Sequence, residues 1–361
     1  EEVGSSAGNT GGETATSWKQ STGAGGDGGI DITDEGEPLA VTVPADGKVL
    51  VDLDALALLD GEDTANAEWE LAFEGYDVFT NSGVSGNGTG GAFGPLAPFT
   101  FLSDGVPEHP FILEDVTGGA FLRWYAYEGE IHALWSRFHV YGIRDGDAFY
   151  KVQILSYYGE VQGAPVSAMY QLRWAAVGDT IGDTQTIVDM DGTAGGLAGG
   201  DDDPSGCLDL GTGERLYLTV AEAQSSSDWH LCFRRDAISV NGELGGRRGV
   251  GAIDLTRLEM PDELPVETVK TKTAASELPA FDAVDLAALS DESLSYRGDR
   301  VVSAFRSSWY DSGSAPGPTE DVWLVQSSDG ARSFLIFFAS FEGANGDSPG
   351  TVTLRVKQVG P

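Results

Sequence analysis

Hydrophobic and polar residues alternate in short runs along most of this chain, a pattern typical of half-buried β-strands. The four clearest runs are Leu39–Val43, Val49–Leu53, Phe149–Tyr158 and Ser167–Ala175. Asp46-Gly47 separates the first two and is typical of a β-hairpin turn. Sustained 3.6-residue periodicity is absent, and only Leu53–Leu59 and Phe281–Leu289 are predicted as short helices. The pattern predicts an all-β protein, which the 50 glycines of the chain also favour.

Composition divides the chain into four parts. Residues 1–36 contain mostly Gly, Ser, Thr, Asp and Glu, a composition that cannot bury enough apolar surface to fold alone and predicts a disordered, flexible spacer. Residues 183–204 are rich in Gly and Asp and are predicted to be a linker. The remaining segments, 37–182 and 205–361, are each long enough for one domain.

Two blocks of sequence occur twice. Residues 69–92 align without gaps with residues 229–252 at an offset of 160 (229 − 69), which matches Trp69 with Trp229 and Asn81 with Asn241. The second block aligns at an offset of 184 (329 − 145), which matches Asp145-Gly146 with Asp329-Gly330. The chain is therefore predicted to hold two divergent tandem copies of one domain. The second copy is longer between the blocks, mainly around Pro261–Pro279.

The first block also predicts local structure. Trp69, Leu71 and Phe73 alternate, so all three are expected on one buried face of a strand, as are their counterparts in the second copy. Asn81 begins a glycine-rich loop that ends at Ala92 and lacks the Gly-Lys-Ser/Thr ending of a phosphate site. We therefore interpret this loop as structural. In the second block, Asp-Gly predicts a hairpin that joins two long strands.

Net charge and motif content restrict the function. The formal charge is −36, which disfavours nucleic acid and anionic membrane surfaces as partners. No stretch is apolar enough to span a membrane. Asp189-Met190-Asp191-Gly192 resembles the start of a Ca²⁺ loop, but the twelfth position is Gly200 rather than Glu. Since no catalytic Ser/His/Asp order, HExxH motif or activated Cys is present, we expect no enzyme.

At the two repeated blocks the sequence resembles the HmuY family of bacterial haem-binding surface proteins. The likeness lies in the strand Trp69–Phe73, in Tyr76-Asp77-Val78, in the loop Ser85–Ala92 and in the strand Lys151–Tyr158. It covers residues 38–180 well and 205–361 more weakly. The resemblance implies two tandem β-sandwich-type domains, export to the cell surface, no catalysis, and haem held between two axial histidines. The N-terminal spacer predicts a surface lipoprotein, because such a protein needs a spacer between its anchor and its first domain. Partners would be haem or another tetrapyrrole, and an outer-membrane receptor or further copies of the chain.

Four residues between the blocks are candidate haem ligands, because a haem iron needs an imidazole, thioether, thiolate or phenolate on at least one face. They are His109, His132, His139 and Tyr125, all in the first copy. The second copy offers only His230, inside a core strand, so the first domain is expected to bind haem if either does. Arg123, Arg137 and Arg144 are nearby bases for the propionates. A structural or adhesive module that has lost the ligand is the alternative.

The chain has two cysteines, Cys207 and Cys232, in neither a CxxC nor a Cys/His metal spacing. Export favours disulfide formation, and neighbouring strands bring α-carbons within bonding range. The sequence therefore predicts a Cys207–Cys232 disulfide.

Overall fold

The computed structural model is mostly β-sheet, as the alternation predicts. It describes residues 32, 34–60, 68–103, 105–195, 200, 202–305, 309–311, 316–345 and 348–360. The predicted spacer 1–36 lies almost entirely outside this part of the chain. Among the described helices, none is long and apolar enough to cross a membrane.

The first half of the chain holds thirteen strands, one short α-helix and one 3-10 helix among its described residues. In chain order they are β1 (Glu37–Thr42), β2 (Val49–Asp52), β3 (Ala57–Asp60), β4 (Leu71–Glu74), β5 (Asp77–Thr80), β6 (Gly91–Leu96), α1 (Phe99–Ser103), β7 (Val116–Gly118), the 3-10 helix (Ala120–Arg123), β8 (Tyr125–Glu128), β9 (Ala133–Ser136), β10 (Val140–Asp145), β11 (Ala148–Val161), β12 (Ala164–Val177) and β13 (Gln185–Asp191).

The second half carries the remaining described elements, with five short helices between its first and last strands. They are β14 (Ser205–Leu208), β15 (Arg215–Leu218), α2 (Val220–Ser225), β16 (Leu231–Arg234), β17 (Ala237–Val240), β18 (Gly251–Asp254), α3 (Leu255–Glu259), α4 (Val266–Val269), α5 (Leu278–Asp282), α6 (Leu286–Leu289), β19 (Arg300–Val302), β20 (Tyr310–Asp311), β21 (Gly317–Pro318), β22 (Val322–Gln326), β23 (Ser333–Glu342) and β24 (Thr351–Gln358).

Four of the sheets build two β-sandwiches. In the first sandwich, the sheet β1-β24-β23-β22-β6 packs on the sheet β3-β2-β4-β5. In the second, the sheet β13-β12-β11-β10-β18 packs on the sheet β15-β14-β16-β17. Inward-facing aliphatic and aromatic side chains fill each core, as alternating strands of facing sheets require.

Each sandwich combines strands from both halves of the chain. β6 pairs with β22 in the first sandwich, and β10 pairs with β18 in the second. The first block of one repeat therefore packs with the second block of the other. The domains predicted at 37–182 and 205–361 do not coincide with the sheets or the cores, and the predicted linker 183–204 contributes β13 to a sheet.

The two halves exchange strands at one crossing, where β7 pairs antiparallel with β19. Thr117 lies opposite Val301, and these two residues differ by the 184-residue offset of the second block. Two isolated bridges beside this crossing are also equivalent in the two copies. Ala92 pairs with Leu113 in the first copy, and the corresponding residues Ala252 and Arg297 pair in the second. An approximate two-fold axis thus passes through the crossing, and the chain folds as a strand-exchanged pair of its own halves.

The first block has the same local structure in both copies. The Asn81 side chain donates to the Trp69 carbonyl at 3.0 Å, and Asn241 donates to the Trp229 carbonyl at 2.9 Å. A Cβ on Gly86 would lie 2.1 Å from Asn81 Oδ1, so only glycine fits there. The glycine-rich loop therefore packs around an asparagine, as a structural loop.

Both tryptophans are fully buried, as predicted, but they do not share a face with the residues that follow them. Leu71 and Phe73 face the sandwich core, whereas Trp69 packs on the opposite face with Leu50 and Phe79. The expectation of one common face was wrong, because the strand begins only at Leu71 and the alternation does not extend back to the tryptophan.

The Asp-Gly turns have two different roles. Asp145-Gly146 joins β10 to β11 and Asp329-Gly330 lies between β22 and β23, with both glycines at positive φ, as the second block predicts. Asp46-Gly47 instead connects β1 and β2, which belong to different sheets, so the hairpin predicted there was wrong. The helix predicted at Leu53–Leu59 was also wrong, since a turn there leads into β3.

The outer face of the sheet that contains β11 and β12 is covered by the extra residues of the second repeat. Lys151 is buried there and donates to the carbonyls of Phe281 and Val284, both at 2.9 Å. Arg173 donates to the Ala274 carbonyl at 2.9 Å. Burial lowers the pKa of Lys151, against the attraction of nearby aspartates. Cationic donors thus hold the carbonyls of the short helices on the sheet.

Cys207 and Cys232 lie directly opposite each other on β14 and β16 and form a disulfide. Together with Trp229 they fill the outer face of that sheet. The bond therefore staples the start of the second repeat to its core strand.

Candidate functional site

The four predicted haem ligands lie in separate surroundings. His109 is exposed in the loop after α1, whereas the other three belong to the segment that leads into β10. His132 is exposed in the turn between β8 and β9, where its Nδ1 lies 2.5 Å from the Tyr127 hydroxyl. His139 is partly buried, with Nδ1 2.7 Å from Asp254 Oδ2. The Tyr125 hydroxyl donates to Asp236 at 3.0 Å.

Three of the four candidate ligands therefore already have a protein partner. Burial raises the pKa of Tyr125, and the neighbouring Asp236 raises it further, so the phenolate form is disfavoured. No group of three or more His, Cys, Asp or Glu side chains suited to a metal ion occurs in the described part of the chain. In the described part of the chain, three of the candidates are therefore committed to contacts with tyrosine or aspartate side chains.

His230, the histidine of the second repeat, is fully buried under the Asp145-Gly146 turn. Its Nδ1 accepts a hydrogen bond from the Leu210 amide at 3.1 Å. Arg248 bridges Asp145 and Asp209 at 2.9 and 2.7 Å beside the ring. Burial lowers the pKa of His230 to about 4, and the Arg248 charge acts in the same direction. A neutral histidine enclosed by an ion-pair network has a structural role here.

A cleft lies at the crossing of the two halves. It has a volume of about 670 Å³, within the range of small-molecule sites. Its walls come from the β7 end and the 3-10 helix, from β18 and α3, and from the segment 295–302 that includes β19. We call this cavity the arginine cleft, because Arg123, Arg257, Arg297 and Arg300 line it.

The arginine cleft gathers basic side chains in a strongly acidic protein. The chain has 15 arginines and a formal charge of −36, yet four arginines face one cleft with only two acids, Asp77 and Asp254. Asp254 already contacts His139 and accepts from the Arg257 amide at 3.1 Å. Burial raises the pKa of Asp77, against the attraction of Arg300. The cleft thus concentrates cationic side chains within an otherwise acidic surface.

The four arginines differ in their availability. Arg123 pairs with Glu263 at 3.0 Å, and Arg297 pairs through both nitrogens with Glu243 at 2.7 and 3.0 Å. Arg257 and Arg300 form no ion pair within the part of the chain that the structure describes, and the buried Nε of Arg257 has no hydrogen-bond partner there. Two guanidinium groups are therefore left to receive an external anion.

Apolar side chains form the rest of the lining. Leu122 and Leu258 are 43% and 58% exposed at the cleft, and Val301 and Val302 contribute from β19. Exposed leucines beside unpaired arginines suit a ligand that combines an apolar body with anionic groups.

The repeat does not explain these arginines. At the 184-residue offset, Arg297 and Arg300 correspond to Leu113 and Val116 in the first copy. The arginines are therefore found on only one side of the two-fold axis, and the fold that the two copies share does not require them.

Sequence reasoning named only Arg123 of this set, as a base for haem propionates. The others are separated from it by more than 130 residues, and the crossing of the halves alone brings them together. No local signal marked them, since residues 257–300 hold three arginines whereas residues 215–257 hold six.

Comparison with known proteins does not assign this chain to a family. No family model and no curated protein matches this chain, so the resemblance noted at the repeated blocks stands on those residues alone.

Proposed function

We propose that this protein is an extracellular, non-enzymatic binding protein whose ligand is an amphiphilic anion held in the arginine cleft. The observation that carries the proposal is the convergence of four arginines on one cavity in a chain of formal charge −36. Arginine is suited to this role because its planar guanidinium binds carboxylate or phosphate through two parallel hydrogen bonds.

The resemblance to haem-binding surface proteins supports a tetrapyrrole as ligand. A tetrapyrrole has an apolar ring and two carboxylates, which match the exposed leucines and the two unpaired arginines. Because none of the described residues that line the cleft is His, Tyr, Cys or Met, recognition would depend on the carboxylates and not on the iron.

The test uses the full chain and three ligands: haemin, metal-free protoporphyrin IX and its dimethyl ester. Absorbance and tryptophan-quenching titrations measure each dissociation constant. We expect haemin and protoporphyrin to bind with similar affinity, because the iron has no ligand in the cleft. The dimethyl ester should bind at least about tenfold more weakly, since it lacks the charges that the arginines pair with.

A double variant and a matched control identify the site. Arg257→Gln with Arg300→Gln should weaken protoporphyrin binding by about 10²-fold, at about 1.5 kcal/mol for each charge-assisted contact. Arg215→Gln with Arg332→Gln makes the same change of charge at surface ion pairs outside the cleft and should change little. Equal loss in both double variants would contradict binding at the cleft.

A structural or adhesive role is the second candidate. The observation that favours it is that His132, His139 and Tyr125 already have protein partners instead of an open coordination site. Absence of binding for all three tetrapyrroles and for other amphiphilic anions would move the protein to this class.

A further inference from the structure

Asp299 lies directly behind the wall of the arginine cleft. It precedes Arg300 in the chain, and its side chain is buried, at 1% exposure. A Cβ on Gly119, which lines the cleft, would lie 2.7 Å from Asp299 Oδ1. A charge on this carboxylate would therefore act on the cleft across a single backbone segment.

Asp115 occupies the place in the first copy that corresponds to Asp299, so the surroundings of the two carboxylates can be compared. Asp115 accepts hydrogen bonds from the Thr80 amide and hydroxyl, both at 3.0 Å, and from the Ala304 amide at 2.7 Å. Asp299 Oδ2 accepts from the Val240 amide at 3.1 Å, and the Ser239 side chain also interacts with this carboxylate. Within the described residues, Asp299 Oδ1 has no hydrogen-bond partner.

A buried carboxylate with an unsatisfied oxygen favours its neutral form. Burial raises the pKa of Asp299 to about 7, and Glu243 adds to the rise, whereas the Val240 amide and Ser239 oppose it. Among the charged groups at the cleft, Arg300 follows Asp299 in the chain, and Arg297 pairs with Glu243 at 2.7 Å. We therefore expect Asp299 to change charge near neutral pH.

We propose that Asp299 makes anion binding in the arginine cleft depend on pH, with tight binding when its carboxyl is neutral and weaker binding when it is ionised. The inference rests on the proposed function, since it concerns regulation of the same site. An ionised Asp299 cancels part of the positive potential that attracts the ligand, and by linkage a bound anion keeps Asp299 protonated.

His139 contacts Asp254 in the cleft wall at 2.7 Å, so a His139→Gln variant separates its effect from that of Asp299. The probe is 8-anilinonaphthalene-1-sulfonate, an amphiphilic anion whose sulfonate stays ionised across the pH range. Its fluorescence gives the dissociation constant at pH 6.0 to 8.5 for the full chain, for Asp299→Asn and for His139→Gln.

We expect the dissociation constant of the wild-type protein to rise about fivefold or more between pH 6.0 and 8.5. Asp299→Asn should bind at pH 8.5 as the wild-type protein does at pH 6.0, with a flat profile. His139→Gln should keep the wild-type profile. An unchanged profile in Asp299→Asn, or a flat profile in His139→Gln, would overturn the proposal.

A measurement without ligand keeps the proposal testable if Asp299→Asn folds poorly. Carbon-13 NMR of the aspartate carboxyl groups in the wild-type chain should show one titration midpoint near pH 7. Midpoints confined below pH 5 would refute the switch. Binding of the probe without pH dependence refutes the switch but leaves the proposed function intact, whereas absence of probe binding at every pH refutes both.

Discussion

Cutting the chain between its two halves tests the strand exchange directly. We consider a protease site inserted between Gly195 and Gly200, followed by complete cleavage of the folded protein. Because each sandwich takes strands from both sides of the cut, the two pieces should remain together as a 1:1 complex. Tandem domains would separate instead.

The cores set the strength of this complex. Among the described residues, ten of the 21 in the first core precede the cut, and eight of the 22 in the second core follow it. Separation would expose at least these 18 side chains, and at about 1.5–3 kcal/mol each the lost burial is roughly 30–50 kcal/mol, an upper estimate. Part of this offsets the entropy of ordering the pieces, but the remainder is sufficient for a dissociation constant below about 1 nM.

Light scattering coupled to size-exclusion chromatography, run on the cleaved protein, measures the mass of the complex. The pieces are then separated in denaturant and diluted alone or together. Each piece alone should lack near-ultraviolet circular dichroism, and mixing should restore it. Two folded, separable halves with independent cooperative unfolding would refute the exchanged topology.

Three further changes test local features of the fold. Gly246→Ala should lower the free energy of unfolding by about 1–3 kcal/mol, because a Cβ there would lie 2.2 Å from Asn241 Oδ1; denaturant unfolding measures this. Lys151→Met should cost about 1–3 kcal/mol and increase hydrogen exchange over residues 278–289, whose carbonyls lose their donor. Replacing Cys207 and Cys232 by alanine should cost about 3.5 kcal/mol, from the 25-residue loop that the disulfide closes.

Each of these variants has a result that would count against it. Gly178→Ala is the control for the glycine, since the nearest atom to its Cβ would be 3.9 Å away, and an equal loss there would contradict steric exclusion. Unchanged exchange over residues 278–289 in Lys151→Met would show that the helices are held by other contacts. The double alanine variant should be equally stable in oxidising and reducing buffer, whereas the free energy of unfolding of the wild-type protein should fall on reduction. A wild-type value that does not change on reduction would contradict the role given to the disulfide.

Much of this architecture follows from the sequence alone. Alternation and Asp-Gly turns are local signals, so they identified β11, β12 and the two hairpins of the second block. The repeat predicted buried tryptophans in both copies, and the two cysteines, with export, predicted a disulfide between neighbouring strands. Each of these features depends on residues that lie close together in sequence or within one strand, so it can be predicted without knowing how the other half of the chain folds.

Only the tertiary structure decided which half pairs with which. Both copies carry equivalent strands, so β10 has two sequence-compatible partners, β6 and β18, and local pattern cannot choose between them. The choice is made by the connections after β6 and β18, which cross at β7 and β19 instead of turning back. The arginine cleft exists because of that crossing, since it brings Arg123 beside residues 257–300. The sequence could not show this, because the pairing of strands far apart in sequence is determined by the packing of the whole chain.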